Sequence, residues 1–293
     1  MNLETDTVAR TLGVDVGYTS TFRTRLTAPP FVPQLQSLRF GGVSFLELAP
    51  VSPDLYGATR GFTNVFSFAT WAKFEAVSNP NGAPLHGWAG GSFGSNPGGL
   101  SWLEIETGSL NNVLVTVQDD IGVGRQQHRY SGVAGGGGPS GPWRHYVFTW
   151  DGTQGGARFY VDGVLTAPTN ILADSAAGTF SADRTFKGRL GSMITGARFT
   201  GLVYSSAAWG VDLGASEVAA IYNGGNARDY DLNRDAGAYI SSDFLIDYYR
   251  TGLTGTTGAE FGIDYGNDGV PRNFGSVGTP FTESDLVSDI PEP

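Results

Sequence analysis

The sequence predicts an all-β protein made of two stacked antiparallel sheets with one short helix. Three observations carry this. Aromatic and β-branched segments of strand length recur at short spacing from about residue 37 onward. Glycine supplies 44 of 293 residues, about double its usual share of ~7%, scattered among turn residues as many tight turns between short strands require. Several segments alternate apolar and polar residues with a period of two, the mark of a sheet with one face inward.

Along the chain, residues 1–36 differ from the rest. They are rich in Thr, Val and Arg and close on APPFVPQ, where Pro29, Pro30 and Pro33 resist both helix and central strand. They read as an extended N-terminal arm, with residues 37–293 as one sandwich. Strands follow at SLRF, SFLEL, VFSFATWAKF, LSWLEIE, NVLVTVQ, RHYVFTW, ARFYVDG, FKGRLGSMI, ARFTGLVYSS and FLIDYYR. Between them lie the Gly135–Gly138 run and Asp-Gly pairs at 151–152, 162–163 and 268–269. In LSWLEIE, Leu103 and Ile105 oppose Trp102, Glu104 and Glu106; in NVLVTVQ, Val113, Val115 and Val117 oppose Leu114, Thr116 and Gln118; in ARFYV, Phe159 and Val161 oppose Arg158 and Tyr160. Each sheet is thereby expected to keep one wet face. The helix is Ala215–Tyr222, capped by Ser216 or an earlier residue and stopped by Asn223-Gly224-Gly225.

The remaining composition excludes several functions. Net charge is −10 and there is no block of Lys or Arg, which disfavours nucleic acid as a partner. No cysteine is present, so disulfides, zinc-thiolate sites and thiol nucleophiles are out. No stretch approaches the ~20 apolar residues of a membrane span. The first residues carry Glu4 and Asp6 and no apolar run, which reads as no signal peptide. The Gly135–Gly138 run lacks the Lys-Ser/Thr and the strand–helix setting of a phosphate loop, and is read as a turn.

Four segments carry a resemblance. SLRFGGVSFLELAP, GFTNVFSFATWAKF, the hairpin PWRHYVFTWDGTQGGARFYVDGVLTAP and the strand–helix VYSSAAWGVDLGASEVAAIYNGG are similar, in this order, to motifs of the concanavalin A-like lectin/glucanase superfamily and its laminin-G-like domains. The tail LIDYYRTG…DYGNDGVPRNFGSV resembles that family's last strands. The resemblance covers roughly residues 37–293 and implies a two-sheet jelly roll. The family holds lectins, glycan- and protein-binding modules and some glycoside hydrolases, so the fold alone does not assign a function.

Hydrolysis can be tested on residues. The family's retaining glycanases place acids at i and i+2 on one strand, so that nucleophile and acid/base share a face. Glu104 and Glu106 have that spacing, but Gly108 and Ser109 stand where a further acid belongs. The protein is therefore expected to bind and not to catalyse. A sugar face needs an aromatic plate and planar polar groups. Trp102, Glu104 and Glu106 share one strand face, with Arg158 and Tyr160 expected on a neighbouring strand; a solvated face of ordinary cross-strand pairs is the alternative. Trp88, in HGWAGGSFG, is a loop-tip candidate or a buried plug. The family commonly binds calcium through Asp carboxylates and carbonyls. Its opening Asp is Gly41 here, which leaves Asp119, Asp120 and Asp162 as candidate ligands, with a turn role in Val161-Asp162-Gly163 as the favoured reading of Asp162. His86, His128 and His145 lack metal-ligand spacing, and His145, inside the hairpin motif, is expected to pack.

The expected function is a virion structural or adhesion protein, of decoration, fibre or tail type. Residues 1–36 would anchor to other virion proteins in a homo-oligomer or larger assembly, and the sandwich would present a lectin-like face to host-surface carbohydrate. A free-standing extracellular lectin-like module is the alternative.

Overall fold

The computed structural model describes residues 34–42, 44–47, 65–76, 83–90, 100–105, 112–118, 125–133, 141–174, 186–191, 199–228, 230–251, 263–264, 275–278, 281 and 283–293. Most of the expected arm lies outside them. The described strands, numbered in chain order, form two sheets in which every pairing is antiparallel. The first runs β10 (Val164–Thr166), β9 (Ala157–Val161), β8 (Arg144–Trp150), β3 (Phe66–Ala76), β13 (Thr200–Trp209), β1 (Ser37–Gly41), β17 (Leu286–Val287). β3 pairs with β13 along its whole length, so β13's other flank is shared by β1 and then β14 (Leu245–Arg250), with β15 (Ile263–Asp264) beyond. The second runs β11 (Asn170–Asp174), β7 (Arg125–Tyr130), β6 (Val113–Gln118), β5 (Leu100–Ile105), β4 (Ala83–Gly90), β12 (Phe186–Leu190), β2 (Ser44–Glu47), β16 (Gly275–Gly278). Among the described residues, two antiparallel sheets, one short α-helix and crossovers between sheets make the predicted jelly-roll-like sandwich.

The main core lies between the sheets and follows from alternation. Phe66 and Phe68 of β3 sit opposite Trp150 and Phe148 of β8. They meet Val113, Val115, Val117 and Tyr130 of the second sheet in one buried cluster. Tyr130 and Phe159 bridge the layers with ring centroids 4.5 Å apart. Each such side chain contributes roughly 1.5–3 kcal/mol on burial.

The expectation of one wet face per sheet is corrected at β3 and β13 in the middle of the first sheet, which are dry on both sides, and at β6 of the second, where residues 113–117 are all buried. Every residue of β3 from Phe66 to Phe74 is buried, as is β13 from Gly201 to Trp209. The outward rows carry Ser67, Ala69 and Trp71 beside Trp209, Ala207 and Ser205. Most of these are small, and the low relief lets a second layer settle onto the sheet. That layer is helix α1 (Ala215–Tyr222) and the segment 230–245, which contribute Val218, Ile221, Leu232, Tyr239 and Leu245 to a second core with Val147, Tyr160 and Trp209. Tyr239 ties it together: its hydroxyl accepts from Trp209 Nε1 at 2.9 Å and donates to the Leu232 carbonyl at 2.8 Å.

The cap of α1 is Gly214, an earlier residue than Ser216; Glu217 Oε2 accepts from its N–H at 3.2 Å. The helix stops where expected, at Asn223, left-handed at φ 50°. The Asp162-Gly163 turn has φ 52° and 79°, the type I′ signature. Asp162 also accepts from the Arg144 guanidinium and, at 2.9 Å, from the His145 N–H. β13 carries a bulge between Val203 and Ser205. The extra residue, Tyr204, accepts from Gln34 Nε2 at 2.7 Å and returns a hydroxyl bond to the Gln34 carbonyl at 3.0 Å. Gln34, read from sequence as part of the arm, is thus fully buried against the sandwich.

Candidate functional site

The second sheet holds the sequence-predicted sugar strand. Trp102 and Glu104 lie on β5 as expected, while Glu106 falls outside the described residues. Register sets Trp102 between Gly87 and Thr116, and Glu104 between Pro84 and Leu114. One strand further, Thr116 faces Gln127 and Leu114 faces Arg129, whose own neighbour is Asn170. These two rows alternate with the core rows of Val113, Val115 and Val117, so they form the outer face of the sheet. Gly87 beside Trp102 leaves a neighbouring position without a side chain.

Arg158 and Tyr160 do not join that face. They lie on β9, in the other sheet, and the expectation that they neighbour the Trp102 strand is corrected. Alternation reports which side of its own sheet a residue occupies, not which of two sheets the strand joins. Tyr160 is buried under α1 in the second core. Arg158 pairs with Asp151 at 3.2 Å and Asp212 at 3.5 Å. Burial pushes both carboxyls up. At Asp151 this is outweighed by the Thr153 and Arg158 hydrogen bonds and the Arg158 charge; at Asp212 it prevails. The trio is an ion-pair clamp between strand and loop. Trp88 lies within β4, in the register row of Ser101, so its loop-tip placement is corrected as well.

Sequence reading missed Gln127 and Arg129. RQQHRY has no apolar stripe and was not read as a strand, yet it is β7. Its inward row is polar: Gln126, His128 and Tyr130 are all buried. Gln126 Nε2 donates to the Thr153 carbonyl at 2.8 Å, and burial holds His128 below the usual imidazole range against the raising effect of Asp174. That polar row is why the alternation was hidden. The outward pair is half-buried, and Gln127 Nε2 donates to Thr116 Oγ1 at 3.1 Å across a fully buried threonine floor.

His145 packs, as expected. It stacks on Trp71 at 4.7 Å, with Tyr222 at 6.1 Å on a near-parallel plane, and burial brings its pKa down to about 3. It is a neutral aromatic plate at ordinary pH. It also borders a cavity of about 20 Å3 with Thr70, Ser205, Tyr230 and Tyr248. That space is on the scale of one water and too small for a sugar ring. For the calcium implied by the resemblance, Asp119 and Asp120 lie outside the described residues. Asp162, being engaged by Arg144 and the His145 N–H, fits its turn role and not a ligand set. Among the described residues no group of three or more acids or histidines is assembled to hold a metal. No described helix is long and apolar enough to cross a membrane.

Comparison with known proteins follows the geometry. A structure from Bacteroides ovatus, provisionally assigned as a carbohydrate binding protein, aligns with TM-score 0.51 and 14% identity over 86% of this chain; the chain spans only 60% of its length. The CBM40 of a Ruminococcus gnavus IT-sialidase, bound to α2,3-sialyllactose, aligns at TM-score 0.46 and 16% identity, over 64% of this chain and 97% of its own. Mouse laminin α1 domains LG4-5 align at TM-score 0.39 and 14% identity, over 64% of this chain and 45% of the laminin chain. No curated protein matches the sequence significantly. A laminin-G-type profile, described as the concanavalin A-like lectin/glucanases superfamily, matches residues 52–219, more than half of the sequence, and the chain belongs to that superfamily.

Proposed function

We propose that the protein is a non-catalytic carbohydrate-binding module whose ligand face is the outer side of the second sheet, centred on Trp102. The observation that carries this reading is the register that sets Trp102 and Glu104 beside Thr116, Gln127 and Arg129. An aromatic residue, a carboxylate, an amide and a guanidinium on two adjacent rows match what a sugar presents: an apolar ring face and a rim of hydroxyls. The provisional assignment of the Bacteroides ovatus protein to carbohydrate binding agrees with it. Calcium, if this chain uses it, would fall to Asp119 and Asp120.

The test is a glycan array probed with the purified protein, with and without calcium, beside Trp102→Ala. Binding of defined glycans, reduced at least tenfold in the variant, supports the reading. Silence across acidic and neutral glycans, or an unchanged variant, removes the face. Release of reducing sugar from bound glycans would overturn the non-catalytic part.

A second reading concerns placement. The buried Gln34 gives residues 1–33 a fixed root on β13, as an anchoring arm requires. On this reading the module is a virion component that docks on neighbouring virion proteins through residues 1–36 and turns its sugar face toward the host surface. Limited proteolysis of the free chain and of its native assembly tests it: protection of 1–36 only in the assembly supports anchoring, and equal cleavage favours a free-standing lectin.

A further inference from the structure

The closing segment of the chain occupies a cradle of its own. β17 holds the chain as far as Val287, by pairing Ser37 with Val287 and Leu38 with Leu286. Beyond it, Asp289 reaches the outer side of the first sheet. Its two carboxylate oxygens each take one donor: Lys73 Nζ at 2.6 Å and Trp143 Nε1 at 2.7 Å. Ser37 Oγ donates to the Asp289 carbonyl at 2.7 Å. Ile290 then packs against the buried cluster of Trp71, Tyr204 and Ala227, as Trp143 and Tyr222 also do, and Pro291 is buried.

The two sides of this contact are unequal. The receptor side is built into the sheet: Lys73 is 9% exposed on the central strand β3, and Trp143 leads into β8. The occupant is a short acidic piece whose Ser288, Asp289, Glu292 and Pro293 are exposed. A lysine so covered needs a counter-charge, and the cradle supplies what a carboxylate needs in two converging donors with an apolar wall beside them.

We propose that the Lys73–Trp143 cradle is a peptide-binding site that reads a carboxylate followed by an aliphatic residue, filled in cis by Asp289-Ile290 and open to the same segment of a second copy when that segment leaves. It is separate from the Trp102 face and does not rest on it.

The test uses the chain shortened after Val287, its fold checked by circular dichroism and thermal unfolding, titrated with a labelled peptide SDIPEP. Saturable binding is expected, at least tenfold weaker for SNIPEP and lost in Lys73→Met. Equal binding of both peptides, or none by a folded shortened chain, overturns the proposal. Where the shortened chain does not fold, full-length Asp289→Asn replaces it. Faster hydrogen exchange at 288–293 and binding of free SDIPEP are then expected, and unchanged protection with no binding overturns it.

Discussion

The two sheets share one alternating pattern and use their outer faces in opposite ways. On the first, the outward row is mostly small, with Ser67, Ala69, Ser205 and Ala207, and a helix with its following segment closes over it. On the second, the outward rows carry Trp102 and Glu104 by register, then the buried Thr116 and Leu114, then the half-buried Gln127 and Arg129. Side-chain size decides the outcome. Small residues leave a flat surface for a packed layer, while the longer Gln127 and Arg129 stay half-exposed at their edge of the second sheet. The first outer face belongs to stability; if the second serves recognition, as proposed, variants should separate along that line.

The largest effect is expected at Trp209, fully buried between the first sheet and its cover. Trp209→Ala should cost roughly 3–5 kcal/mol, the usual range for an aromatic-to-alanine cavity, read as a lower urea midpoint at unchanged slope. A loss below about 1 kcal/mol would show that the cover peels away independently, and the contrast between faces would fail. Next comes Asp162→Ala. It removes the Arg144 ion pair, the bond to the His145 N–H and a residue type that tolerates a positive φ. About 2 kcal/mol is expected, with partial recovery in Asp162→Asn.

Acid should attack the first sheet through His145. Its folded pKa, about 3, lies below the unfolded value of ~6.5, so the unfolded state binds the extra proton between them. The stabilisation is complete above pH 6.5 and is lost as pH falls toward 3, by up to about 1.4 kcal/mol per unit from this one group. His128, also depressed by burial, adds in the same sense. Urea midpoints at pH 7 and pH 5 measure the slope. His145→Phe keeps the stack on Trp71 and should flatten it; an unchanged slope would remove His145 as its source.

Much of this was readable in advance, and the failures share a cause. The Asp162-Gly163 turn, the helix and its Asn223 stop, and the inward rows of β6 and β9 follow from local chemistry. The sheet that β9 joins does not, because strand partners are chosen over long sequence separation. That is why Arg158 and Tyr160 were grouped with Trp102. The cover on the first sheet left a weak trace: VFSFATWAKF carries no charged residue on either side until Lys73, which suits a strand buried on both faces. β7 was hidden because its inward row is Gln126, His128 and Tyr130, whose polar atoms find partners or lie buried inside the sandwich.

The smallest expected stability change sharpens the comparison most. Gln127→Ala deletes the amide that donates to Thr116 Oγ1, one neutral hydrogen bond at a half-buried position, and should cost about 0.5–1 kcal/mol. Arg129→Ala, on the same face, should cost about as little. If that face recognises glycan, each variant should nevertheless lose at least tenfold in affinity for whichever glycan the array identifies, since a sugar hydroxyl left without its planar partner is not replaced by water at an enclosed rim. Thermal unfolding and glycan titration on the same samples decide it. Small stability loss with large affinity loss assigns the second outer face to recognition. Equal, small changes in both would make Gln127 and Arg129 ordinary cross-strand partners, and the two faces would then differ only in how much structure covers them.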